Sequence, residues 1–96
     1  HRVTRDGQPV KLTPTEYRLL AYLAVNANRV ISHRELLRVV WGPEYGEESE
    51  YLRVYMRYLR QKLEPDPANP RYLLTQPAAG YMFYQPKEAA NPPQGT

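Results

Sequence analysis

An α+β fold is predicted: three helices with a short β-hairpin at each end. Three observations point to it. Leu52, Met56, Leu59 and Leu63 fall at i, i+4, i+7 and i+11 within ESEYLRVYMRYLRQKLE, residues 48–64; at roughly 100° per residue they form one narrow helical stripe. Two further apolar stretches each begin with a Ser or Thr three residues before a Glu, the mark of a capped helix start. Both ends of the chain carry short β-prone runs broken by Gly-containing turns.

In chain order, Arg2 to Leu12 reads as a hairpin. Asp6-Gly7 makes the turn, because Gly tolerates positive φ, and Val3 and Val10-Lys11-Leu12 flank it as strands. The chain opens directly inside this hairpin, as a piece cut from a longer protein would. Thr13 is the expected N-cap of the first helix, with Pro14 at its first position and Glu16 closing a capping box. Leu12 and Tyr17 sit where a hydrophobic staple would close. Leu19, Leu20, Leu23, Ala24 and Ala27 keep helical spacing, and the helix should end near Asn26 to Asn28. Val30-Ile31 is too short for a free strand but can pair with a later hairpin.

Ser32 opens a second capping box with Glu35, and Leu36, Leu37, Val40 and Trp41 supply the buried side. His33 in its first turn reads as a solvated residue, since it has no companion to make it a ligand or a base. Gly42-Pro43 ends this helix. An acidic loop follows to Glu47 and carries an exposed Tyr45. Ser49 is the expected N-cap of the third helix, and Pro65-Asp66-Pro67 stops it. Arg71 to Thr75 and Tyr81 to Tyr84 read as a second hairpin across Gln76 to Gly80. Residues 1–86 are read as one domain. Lys87 to Thr96, rich in Pro and lacking periodicity, is read as a disordered tail.

This order of hairpin, helix, short strand, helix, helix, hairpin describes a winged helix-turn-helix with a truncated N-terminal antiparallel sheet. In such pairs the second helix is the one that enters the major groove. Opposite its apolar stripe that helix carries Arg53, Val54, Arg57, Tyr58 and Gln61, with Tyr55, Arg60 and Lys62 on the flanks. Arg and Gln side chains can make bidentate hydrogen bonds to base edges, and the flanking residues can hold phosphates. A plainer reading also fits. Glu44, Glu47, Glu48 and Glu50 cluster at the helix start and basic residues lie later, which the helix dipole favours in any protein.

Composition narrows the classes. The 96 residues carry a net charge of +3, which permits an anionic partner without requiring one. With no cysteine and two distant histidines, His1 and His33, neither a disulfide nor a metal site is expected. No nucleophile, base and orienting group come together, and no Gly-rich loop could cradle a phosphate, so neither an enzyme nor a bound cofactor is expected. No apolar run approaches the roughly 18 residues of a membrane helix, and a cytoplasmic protein is the default. Nine tyrosines against one phenylalanine suit a surface that meets polar partners with ring edges and hydroxyls.

LTPTEYRLLAYLAVNANRVISHRELLRVVWG, then YLRVYMRYLRQKLE, then PRYLLTQPAAGYMF, together resemble the C-terminal effector domain of OmpR/PhoB-type response regulators. The resemblance covers Arg2 to about Tyr84. It implies a winged helix preceded by further strands, an upstream receiver domain phosphorylated by a sensor kinase, and binding to direct-repeat double-stranded DNA as a homodimer. It also implies contact with RNA polymerase through the loop holding Pro43, Glu44, Tyr45 and Glu47. Groove-facing positions of the family fall on Glu50, Tyr51, Val54, Tyr55, Arg57 and Tyr58, and a phosphate-contacting arginine falls on Arg60. Tyr81, on the wing, is a further expected DNA contact. The family's wing reads Gly-x-Gly-Tyr-Arg, whereas this chain has Ala78-Ala79-Gly80-Tyr81-Met82, without the arginine that reaches a minor groove. Two functions remain open on the sequence: sequence-specific DNA binding, and a winged-helix protein-interaction module with weak or lost DNA affinity.

Overall fold

The computed structural model describes residues 3–86, so the expected tail lies outside the described residues. Strand β1 (Thr4–Arg5) pairs antiparallel with β2 (Gln8–Pro9) around Asp6-Gly7, both at positive φ. Val10 N–H donates to the Val3 carbonyl at 2.8 Å, adding one rung, while Lys11 and Leu12 lie beyond the strand.

Helix α1 (Pro14–Val25) starts on a complete capping box. The Glu16 N–H donates to Thr13 Oγ1 at 3.2 Å, and the Thr13 N–H donates to Glu16 Oε1 at 3.0 Å. Helix α2 (His33–Val40) is capped by Ser32, but its box is only half formed. The Glu35 carboxylate does not reach back to the cap; it accepts a hydrogen bond from the Tyr22 hydroxyl and so joins α2 to α1. That contact pushes the Tyr22 phenol above its usual range. His33 is half-buried, edge-on to Tyr81 with ring centroids 5.4 Å apart, and not simply solvated.

Helix α3 (Ser49–Leu63) has Glu48, not Ser49, at its N-cap, and Glu48 makes no capping bond to it. Its carboxylate instead accepts the Gly46 and Glu47 N–H groups at 3.0 and 3.1 Å, folding the preceding loop onto itself. Leu52, Met56 and Leu59 are fully buried with Leu19, Leu23, Ile31, Leu36, Leu37 and Leu73, and Leu63 packs at the edge. Full burial of each such side chain contributes about 1.5–3 kcal/mol, so this stripe is the main attachment of α3.

The C-terminal hairpin pairs β3 (Leu73–Gln76) with β4 (Gly80–Phe83). Gln76 and Gly80 therefore belong to the strands, and the connection is Pro77-Ala78-Ala79. Tyr84 lies past β4, although its N–H still donates to the Tyr72 carbonyl at 2.7 Å. The Val30-Ile31 segment pairs as expected: Ile31 and Tyr81 exchange backbone bonds of 2.8 and 3.0 Å. Asn28 extends that edge. Its N–H donates to Phe83, and its side-chain amide exchanges two 3.0 Å bonds with the Gln85 backbone.

Gly80 has φ +152°, and a Cβ there would stand 1.9 Å from the Ile31 carbonyl oxygen. Backbone cannot yield as a flexible side chain does. Gly80→Ala is expected to cost about 3 kcal/mol or more, read as a lower urea midpoint. Ala78 holds φ +65°, a left-handed conformation that disfavours a Cβ. Ala78→Gly should therefore stabilise the chain by about 0.5–1 kcal/mol in the same measurement.

Candidate nucleic-acid interface

Because Leu52, Met56 and Leu59 face the core, the opposite face of α3 is solvent. Glu50, Tyr51, Arg53, Val54, Arg57, Tyr58 and Gln61 are all exposed. Val54 and Tyr58 are 42% and 43% exposed, high for large apolar groups at the centre of a helix. Among the described residues the ion pairs are Arg5–Asp6 and Lys62–Glu16, so neither Arg53 nor Arg57 is neutralised. One ridge thus presents two unpaired guanidinium groups, an amide and apolar side chains. These groups suit the donors, acceptors and thymine methyls of a major groove.

The aromatic flank of this ridge is a chain of rings. Tyr45 lies 6.0 Å from Tyr51, Tyr51 lies 5.8 Å from Trp41, Trp41 lies 5.3 Å from Tyr55, and Tyr55 lies 5.6 Å from Tyr58 at an 83° edge-on angle. Tyr45 is half-buried and packs on the core, not exposed as its loop position implied. Pro43, Glu44 and Glu47 of the same loop are exposed. Tyr55 is half-buried and buttresses Tyr58. Trp41, which reads as a core residue in sequence, is the hub of this chain.

Three expected contact residues are engaged within the fold. The Lys62 ammonium, expected at a phosphate, pairs with buried Glu16 at 2.6 Å and donates to the Lys11 carbonyl at 3.0 Å. Arg60, also expected at a phosphate, donates through Nε to the Leu73 carbonyl at 2.9 Å and through Nη2 to Thr75 Oγ1 at 2.8 Å. Tyr81 is only 6% exposed and packs in the core beside His33, which removes its ring from any duplex surface. Side chains long enough to reach a ligand can also reach the protein's own acceptors, and here those acceptors lie far away in sequence.

Glu64 is the residue that sequence reasoning missed. It is 1% exposed, and its carboxylate accepts the N–H groups of Arg71, Tyr72 and Leu73 at 2.8, 3.0 and 2.7 Å. One signal was available: a carboxylate at a helix C-terminus opposes the dipole and calls for a compensating set of donors.

A helix-turn-helix whose second helix turns a cationic ridge to solvent, with a two-stranded wing against its end, defines a winged-helix domain of the OmpR/PhoB type. The chain belongs to the family described as the C-terminal domain of transcriptional regulatory proteins, which matches residues 7–83. It is 53% identical over 81 residues to the KDP operon transcriptional regulatory protein KdpE of Escherichia coli K12, a match covering 84% of this chain and 36% of that protein. The chain thus spans about a third of the length of such relatives. Response regulator DrrB of Thermotoga maritima, an OmpR/PhoB homologue, superimposes with a TM-score of 0.79 at 31% identity, over 88% of this chain and 38% of that one. The RstA DNA-binding domain of Klebsiella pneumoniae, solved in complex with the RstA box, gives a TM-score of 0.73 at 25% identity, over 81% and 77% of the two chains. No described helix is long and apolar enough to cross a membrane.

The Glu16–Lys62 pair sets an acid limit on stability. Burial pushes the Glu16 carboxyl up, but Lys62 and the Thr13 N–H outweigh it and hold the group below its ordinary 4.5. A carboxyl lowered on folding contributes stability that is complete above its unfolded value and is lost as pH falls through the folded one. Thermal midpoints should therefore fall on acidification below about 4.5. Lys62→Met should lower the midpoint at neutral pH by about 1–3 kcal/mol equivalent and make the acid limb shallower. An acid limb as steep as in the unaltered chain would remove this pair from the account.

Proposed function

We propose that this chain is the DNA-binding output domain of a two-component response regulator, recognising a specific double-stranded sequence with α3 in the major groove and the 71–84 hairpin near the minor groove. The observation that carries the reading is the exposed, unpaired Arg53–Arg57–Gln61 ridge on the second helix of the helix-turn-helix. Arg53, Arg57, Gln61 and Tyr58 read bases, and Val54 and Tyr51 meet the apolar edges of the groove. Tyr55 supports Tyr58 and stands at the phosphate flank. Arg60 and Lys62 serve chiefly to hold α3 against its neighbours.

In this reading an upstream receiver domain, phosphorylated by a sensor kinase in the cytoplasm, controls pairing of two copies on direct repeats. The Pro43, Glu44 and Glu47 surface, steadied by Tyr45, meets RNA polymerase. The domain acts by binding and carries out no reaction of its own. The absence of a cation at Met82 removes one charge from the wing's contribution to counterion release.

Selecting bound sequences from a random duplex pool, followed by titration at two salt concentrations, tests the reading. Arg57→Ala should cost about 1–3 kcal/mol of affinity and relax preference at one base pair. Affinity should also fall as salt rises. Binding to no duplex, or an affinity indifferent to salt, would favour the protein-interaction module instead.

A further inference from the structure

We infer that Glu64, assisted by Arg60, is a positioning residue for DNA recognition: it locks the wing to the C-terminal end of α3 so that both meet one duplex in a fixed relation. This rests on the DNA-binding reading above. Glu64 itself, 1% exposed, cannot touch a duplex.

The geometry is a two-sided clamp. Glu64 sits one residue past α3 and collects three consecutive N–H groups, from Arg71, Tyr72 and Leu73, where the chain enters β3. Arg60, one turn earlier, takes the Leu73 carbonyl and the Thr75 hydroxyl. At Leu73 the N–H goes to Glu64 and the carbonyl to Arg60, so both backbone polar groups of one residue are held by a single helix end. The intervening 65–70 loop is stiffened by three prolines and by Asp66, which accepts from Ala68 N and Asn69 Nδ2. The far edge of the hairpin is tied separately to the helical body through Ile31 and Asn28. Fixing a recognition element before binding removes an ordering cost that a loose wing would incur on the duplex.

Glu64→Gln tests the inference without adding or removing a group at the DNA face. The amide keeps one acceptor oxygen but turns an NH2 toward backbone donors. The selected duplex is probed two ways with the unaltered and variant chains, well below their melting midpoints. Dimethyl sulfate reports guanine N7 in the major groove, and hydroxyl radical reports sugars along the minor groove. The expected result for Glu64→Gln is loss of the minor-groove protection next to the site with the N7 protection kept. Arg60→Lys keeps a positive charge but cannot span both wing acceptors, and should show the same selective loss. It also provides the answer if Glu64→Gln does not fold. Retention of both protections, or their loss in equal proportion, overturns the inference, because a merely structural role lowers stability without separating the grooves. Minor-groove sugars left unprotected by the unaltered chain overturn it too. Absence of both protections with the unaltered chain would mean that the DNA-binding reading itself has failed.

Discussion

Rotation of α3 about its own axis is the constraint on which the rest of the molecule depends. It is fixed by burial of Leu52, Met56 and Leu59 against the side chains of α1, α2 and β3. At roughly 100° per residue, sinking Leu52 and Met56 forces Val54, two residues from each, to the opposite side. Arg53, Arg57 and Gln61 follow by the same arithmetic. The outward ridge is thus a geometric consequence of the apolar stripe, and a polar group on that stripe would turn the helix as well as weaken the core.

This arithmetic explains what was legible in the sequence. The three helices, both hairpins and the outward set on α3 rest on spacing within one segment, and the Thr13–Glu16 box on atoms three residues apart. Such features depend on neighbours a few residues away, which the sequence displays directly. Several departures involve distant partners, whereas the shift of the α3 cap from Ser49 to Glu48 is local. Glu35 was expected to complete a cap and instead meets Tyr22, on another helix. The sequence offers Lys62 and Arg60 to phosphates; in the fold one reaches back 46 residues to Glu16 and the other forward 15 to Thr75. Tyr81 alternates to the inner face of its strand, and whether a wing tyrosine points in or out depends on which neighbour covers it.

The interior polar contacts share a logic. Buried carboxylates Glu16 and Glu64 each sit where backbone N–H groups would otherwise lack partners: at the start of α1, and at the entry to β3. Each joins elements that the apolar core alone leaves free to slide. The core holds the helices together non-directionally, whereas these acceptors fix register because hydrogen bonds tolerate little misalignment. A chain of this size, with limited apolar area to bury, relies on such bonds to make one arrangement unique.

The ring chain from Tyr45 to Tyr58 has an optical consequence. Trp41, at its centre, is the only tryptophan in the chain. Tyrosine excitation passes readily to a nearby indole, and four phenols lie in this file beside it. Ultraviolet excitation of these four rings therefore drains to one spot, wedged between the acidic loop and the outward ridge, and the molecule carries a built-in dye beside its proposed duplex-binding face.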